Sequence, residues 1–248
     1  VKSLGMDAVV LADHGNMFGA VDFYKACKKE GVKPIIGVEI YMAKRRMQDK
    51  EPGIDDTRYH LGLLAKNEIG YKNIIKLVSI ANTEGMYYKP RIDREILKEH
   101  SEGLICLSGC LAGELARNII EDYEKGKEVA KWYRDVFGDD YYLEIQANGI
   151  EEQKIVNQKI VKLSKELNIP LVVTNDVHYT CKEDVKAQDI LICIQTGKKI
   201  DDEDRMKIDV DTLYIKSPEE IKKEFANFPE ALENTVKIAE KCNFEFEF

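Results

Sequence analysis

Apolar residues along this chain fall into short runs, and most runs are followed by a stretch with helical spacing. The first run, residues 7–12, precedes residues 17–29, where Phe18, Val21, Phe23, Tyr24 and Cys27 recur near the helical period. Gly31 stops that helix, Pro34 opens a strand over 35–42, and residues 44–58 are too polar and charged for anything but a loop. Further strands are predicted at 60–65, 104–108, 142–146 and 170–174. Between them lie helical patterns at 68–81, 93–99, 112–137, with a break expected near Gly126, and 151–167. Strands alternating with helices imply a parallel α/β sheet, and this many units suit a closed or nearly closed barrel. A doubly wound open sheet is the other arrangement the pattern allows.

After Thr180 the rhythm changes to a helix over 183–194, a polar stretch over 198–211, a strand over 213–216 and two more helices. Ser217-Pro218-Glu219-Glu220 is a helix start, with Ser as N-cap, Pro in the first turn and acids near the positive end of the dipole. Pro229 opens the last helix, which runs to about Cys242, and residues 243–248 alternate like a strand that continues into something further. The chain starts without an initiator Met or a signal-peptide pattern, so it reads as an internal piece of a longer cytoplasmic protein.

Composition narrows this picture. The 248 residues, 44% hydrophobic and 33% charged, suffice for one large domain or two small ones, and one is the simpler reading. No run approaches the roughly 18 apolar residues of a membrane span. Six cysteines without C-x-x-C spacing, several in apolar contexts, fit a reducing compartment. A net charge of −8 argues against a broad footprint on nucleic acid; any contact with DNA would be local, at patches such as Lys198-Lys199, or made through neighbouring domains.

Three apolar runs end in side chains that bind borderline divalent cations: Asp13-His14, Cys110, and Asp176-Val177-His178. Parallel α/β folds place their chemistry at strand ends. In an extended segment Asp176 and His178 would point to the same side, with Asn175 turned away as hydrogen-bonding support. Read alone, the pair is equally a turn aspartate beside a surface histidine. His14 precedes Gly15-Asn16, a tight turn, and Asn16 also suits the N-cap of the following helix. Glu39 interrupts an apolar run, which demands a cation or hydrogen bonds unless the residue faces outward. His60 opens a strand, where it is a ligand or an edge residue. Cys110 is expected beside a cation that lowers its pKa; nothing marks an oxyanion site for a nucleophilic Cys-His pair. Glu144 reads as the partner of a basic group, and His100, at a helix end, lies outside the site. Three of the four histidines, His14, His60 and His178, are expected to converge.

The stretches Ala12–Ala20 (ADHGNMFGA), Lys33–Tyr41 (KPIIGVEIY), His60–Asn67, Lys89–Glu95 (KPRIDRE), Leu107–Cys110 and Thr174–Tyr179 (TNDVHY) closely resemble, in order, the PHP (polymerase and histidinol phosphatase) domain of bacterial replicative C-family DNA polymerases. The likeness runs to the end of the chain. It implies a distorted TIM-like (β/α)7 barrel with extra C-terminal helices, residues 1–195 forming the barrel and 196–248 leading toward a polymerase region. It also implies a cleft for up to three divalent ions, zinc first, with manganese or magnesium as alternatives. By motif the metal ligands fall on His14, Glu39, His60, Cys110, Asp176 and His178, with Asp176, His178 and His14 as the catalytic members. The family's remaining ligands belong to a His-x-His strand and a Leu-Asp-Gly loop, which the resemblance places before residue 1.

Clustered cations suit phosphodiester hydrolysis, because one activates a water while another stabilises the leaving oxygen. The resemblance therefore implies 3′–5′ exonuclease proofreading attached to a DNA-directed DNA polymerase. Its partners would be the DNA primer 3′ end, the remaining polymerase domains and replisome subunits, with no membrane. A stand-alone phosphatase of histidinol-phosphate type and a non-catalytic structural module are the alternatives.

Overall fold

The computed structural model describes residues 1–247 and turns the apolar runs into one sheet. Its strands are β1 (Ala8–Leu11), β2 (Lys33–Ala43), β3 (Arg58–Ala65), β4 (Met86–Tyr87), β5 (Lys89–Ile92), β6 (Leu104–Leu107), β7 (Tyr141–Gln146) and β8 (Leu171–Thr174). The helices are α1 (Ala20–Glu30), α2 (Glu68–Thr83), α3 (Arg94–Glu99), α4 (Glu114–Glu121), α5 (Tyr123–Phe137), α6 (Glu151–Leu167), α7 (Val185–Thr196), α8 (Pro218–Glu224) and α9 (Pro229–Lys241). None is long and apolar enough to cross a membrane among the described residues.

The sheet order is β4-β5-β2-β3-β6-β7-β8, with β1 paired to the first half of β2. The sheet is strongly curled: β1 and β8 do not pair, yet His14 and His178, just past their ends, bring their rings to 6.4 Å between centroids. It is mixed where the strand-helix alternation predicts a parallel one. β3 runs antiparallel to both β2 and β6, because residues 44–57 link β2 to β3 without a crossover helix.

Period-two alternation sorts the strand residues onto two faces. Val38, Ile40 and Met42 of β2, Leu61 and Leu63 of β3, and Leu143 and Ile145 of β7 point outward into the main core, beneath Ile74 and Leu77 of α2 and Ile160 and Leu163 of α6. The concave face is divided along its length. At one end Ile35, Leu64, Ile105, Tyr142 and Val172 form an apolar floor with Ile238 of α9 and Cys242. One or two pleats further along the same face lie Glu39 and Tyr41 of β2, His60 of β3, Glu144 and Gln146 of β7 and Thr174 of β8.

Several local expectations change. The helix over 112–137 is two helices, and the break falls at Asp122 rather than Gly126. Asp122 is extended (φ −151°, ψ 120°) and its carboxylate accepts from the backbone N–H groups of Glu124 and Lys125, ending α4 and capping α5. Asp122→Ala is expected to destabilise the chain by about 1 kcal/mol, read from denaturant unfolding of wild type and variant side by side. The β4–β5 hairpin was not anticipated. Residues 213–216 form one isolated bridge, Tyr179 to Tyr214, in place of a strand. Residues 243–247 form no strand either: Phe244 stacks on Tyr71 at 4.3 Å and Phe246 meets Tyr24 edge-on at 4.9 Å, while residue 248 lies outside the described residues.

Candidate metal centre

The polar end of the concave face collects side chains from both edges and the middle of the sheet. Past Leu11 the chain keeps to the side of β2, with Glu39 N–H donating to Asp13 O at 3.0 Å and Gly15 N–H donating to Glu39 O at 2.9 Å. That register sets His14 beside Glu39, with Nδ1 3.4 Å from Oε2. The antiparallel pairing of β3 puts His60 opposite Tyr41 and brings its Nδ1 against the other Glu39 oxygen, Oε1. His14, Glu39 and His60 each offer a ligand atom within 4.8 Å of the others.

The other three candidates border this triad. Cys110 Sγ lies 3.8 Å from His60 Nδ1, at the turn that follows β6. His178 reaches in from beyond β8, and its Nδ1 is 3.9 Å from Asp176 Oδ1 and 2.8 Å from Asp176 O. A carbonyl only accepts, so His178 Nδ1 donates in this contact, which leaves Nε2 as the ring nitrogen open to a cation. Asp176 and His178 meet, but not through an extended segment, since Asp176 turns the chain with a left-handed φ of 52°. Asn175 uses its amide to hold Tyr214 O, which fixes the segment after β8. His100 ends α3, away from the cluster.

The electrostatics of the pocket call for positive charge. Burial pushes the Glu39 carboxyl up, but His60, His14 and His178 outweigh it and hold the group below the usual carboxylate range. Burial raises Asp176; His178 opposes it and the charge of Glu39 adds to it. Burial, then Glu39 and Asp176, push the Cys110 thiol up. Glu144 is not the partner of a base. Its carboxylate accepts from Gly109 N–H and from Thr174 Oγ1 at 2.8 Å, and burial above all moves its pKa to about 7. The signal for Glu144 was the one used for Glu39, a carboxylate inside an apolar strand, and it pointed to hydrogen bonds here. Tyr41 was missed altogether: its ring is 6.3 Å from that of His14 and 5.2 Å from that of His60.

These residues fit a divalent cation. Glu39 Oε1 is buried, and His60 Nδ1 is the polar atom that sits against it. A buried carboxylate among imidazoles, a second carboxylate and a thiol has the donor chemistry of a borderline metal site.

A curled, mixed α/β sheet with this cluster at its polar end matches a known class: residues 1–148 fit the PHP domain family model, and the chain belongs to that family. It is similar to the DNA polymerase III subunit alpha of Borreliella burgdorferi, 52% identical over 244 residues that make up 98% of this chain and 21% of that protein. The corresponding protein of Treponema pallidum is 50% identical over 245 residues, 98% of this chain and 21% of its own length. That of Campylobacter jejuni is 48% identical over 257 residues, 99% of this chain and 21% of its own length. The chain thus spans about a fifth of the length of these relatives. Among solved structures, a Bifidobacterium adolescentis protein provisionally described as a metal-dependent phosphoesterase aligns with a TM-score of 0.44 and 13% identity, over 71% of this chain and 78% of that one. That likeness is too distant to bear on the site.

Proposed function

We propose that this chain is the PHP module of a bacterial DNA polymerase III alpha subunit, and that its cleft hydrolyses phosphodiester bonds at a primer 3′ end with bound divalent metal. Residues 1–195 supply the barrel and 196–248 the elements that lead into the rest of the subunit. The supporting observation is the contact network in which Glu39 touches His14 and His60, His60 touches Cys110, and Asp176 touches His178. Zinc is the first candidate for the N, O and S donors present, with manganese or magnesium as alternatives. His14, Glu39, His60, Cys110, Asp176 and His178 would hold it.

When bound, such metal supplies an activated water and stabilisation of the leaving oxygen. The chain's own residues hold the centre in place. The Asp176 carbonyl fixes the His178 tautomer, and the paired backbone of β1 and β2 fixes His14 against Glu39. Below the ligands, Glu144 ties the turn carrying Cys110 to Thr174 at the end of β8. DNA, the remaining polymerase domains and replisome subunits are the partners this reading assigns.

Elemental analysis of the purified full-length subunit tests it. At least one equivalent of zinc or manganese per subunit is expected, with a clear loss in His60→Ala. A metal-free wild-type subunit would reduce the cluster to a structural relic.

A further inference from the structure

A cation with no carboxylate partner among the described residues stands over Tyr41, beside the candidate metal centre. In the β4–β5 hairpin Tyr87 pairs with Lys89, leaving Tyr88 alone at the tip. Tyr88 holds a left-handed backbone, φ 59°, strained for a bulky residue; the residue is 72% exposed, with its ring 4.6 Å from that of Tyr87. The hairpin is locked against the site. A side chain at Gly15 would come within 2.9 Å of Pro90 Cγ, so the turn after His14 and the hairpin are in direct contact. Buried Arg91 anchors the other side of Lys89 by donating to the carbonyls of Gly85, Met47, Asp49 and Asp55.

The residue aimed by this arrangement is Lys89. It is half-buried, and its Nζ lies 5.9 Å from the centroid of Tyr41, the ring packed against His14 and His60. No carboxylate pairs with it among the described residues. A half-buried lysine with no carboxylate partner among the described residues, beside the imidazole cluster of a chain of net charge −8, lacks an anion. A phosphate oxygen is the anion that a compact ammonium recognises as a point charge. The exposed ring next to it offers a base a π face to stack on.

We propose that Lys89 binds the phosphate of a phosphodiester at the metal centre while Tyr88 stacks on the adjoining base, so that the hairpin selects single-stranded nucleic acid. This rests on the phosphodiesterase reading above.

The test uses the full-length subunit and two substrates, a single-stranded oligonucleotide and the small diester bis(p-nitrophenyl) phosphate. Lys89→Met is expected to raise KM about tenfold for both, more than it lowers kcat, with metal content unchanged and Lys89→Arg restoring most of the loss. Tyr88→Ala is expected to raise KM for the oligonucleotide alone. Independently of turnover, a single-stranded oligonucleotide with a hydrolysis-resistant phosphorothioate 3′ linkage should slow acetylation of Lys89, read by mass spectrometry. Unchanged KM in a metal-replete Lys89→Met subunit, or equal labelling with and without the oligonucleotide, overturns the assignment. If Tyr88→Ala shifts KM for both substrates equally, the base-stacking role falls. Absence of metal and of hydrolysis in the wild type would instead refute the phosphodiesterase reading, and the labelling comparison would still decide the fate of the hairpin.

Discussion

Glu39→Gln and Asp176→Asn, made separately in the full-length subunit, are each expected to slow 3′–5′ removal of a mismatched primer nucleotide on the order of a thousandfold. Both substitutions keep side-chain shape and delete one negative charge. Asn is chosen at position 176 because it tolerates the left-handed backbone that Asp176 adopts, whereas Ala would add strain. Glu39 is the more connected of the two. It contacts His14 and His60 at once, so its amide would leave both imidazoles without their shared carboxylate. Nucleotide incorporation by the same preparations should continue, since neither residue is assigned to the polymerase reaction. Primer-degradation time courses run beside extension assays decide the matter. Wild-type degradation in both variants would place the nuclease elsewhere.

Arg91→Met is expected to cost about 3–5 kcal/mol, the largest stability loss of any single substitution considered. The guanidinium is fully buried, and its η nitrogens are 3.0 Å from Asp55 O, 2.9 Å from Met47 O and 3.0 Å from Asp49 O. Methionine fills much of the volume and offers those three carbonyls nothing. Gly85 O keeps one partner, because it also accepts from the Arg91 backbone N–H at 3.3 Å. The damage should therefore concentrate in residues 44–57. Limited proteolysis ought to cut there first in the variant, at a protease concentration that leaves wild type intact. Equal cleavage and equal denaturant midpoints would mean that the loop is held by other contacts, such as Met47 N–H to Asp93 Oδ2 at 3.0 Å.

The sequence exposed the candidate centre better than it exposed the sheet. His14, Glu39 and His60 stood out because a charged or imidazole side chain follows, interrupts or opens an apolar run, and that pattern needs no knowledge of topology. The direction of β3 is invisible to the same reasoning, since hydrophobic period reports which face a residue takes and nothing about which way its strand runs. The break at Asp122 was hidden because Gly126 looked the weaker helix residue. An N-cap competes for the backbone more strongly than a glycine disrupts it, and Gly126 turned out to be a close contact, its missing side chain leaving room for Ile119. The hairpin at 86–92 escaped because its strands are two and four residues long, too short to show any period. Lys89, in turn, has no sequence signature beyond its motif; only the ring beneath it and the want of a carboxylate partner among the described residues make it conspicuous.

The reversed strand also bears on the order in which the molecule assembles. β2 and β3 share seven register pairs, the longest pairing in the sheet, and are joined by the single loop 44–57. Such a hairpin closes with little loss of chain entropy, whereas Cys110, Asp176 and His178 must wait for distant segments to arrive. Glu39 and His60 both ride on this hairpin, two residues out of direct register. Two of the three residues of the triad thus sit on a local structure, and a metal ion present during synthesis would find a two-point foothold before the sheet has curled.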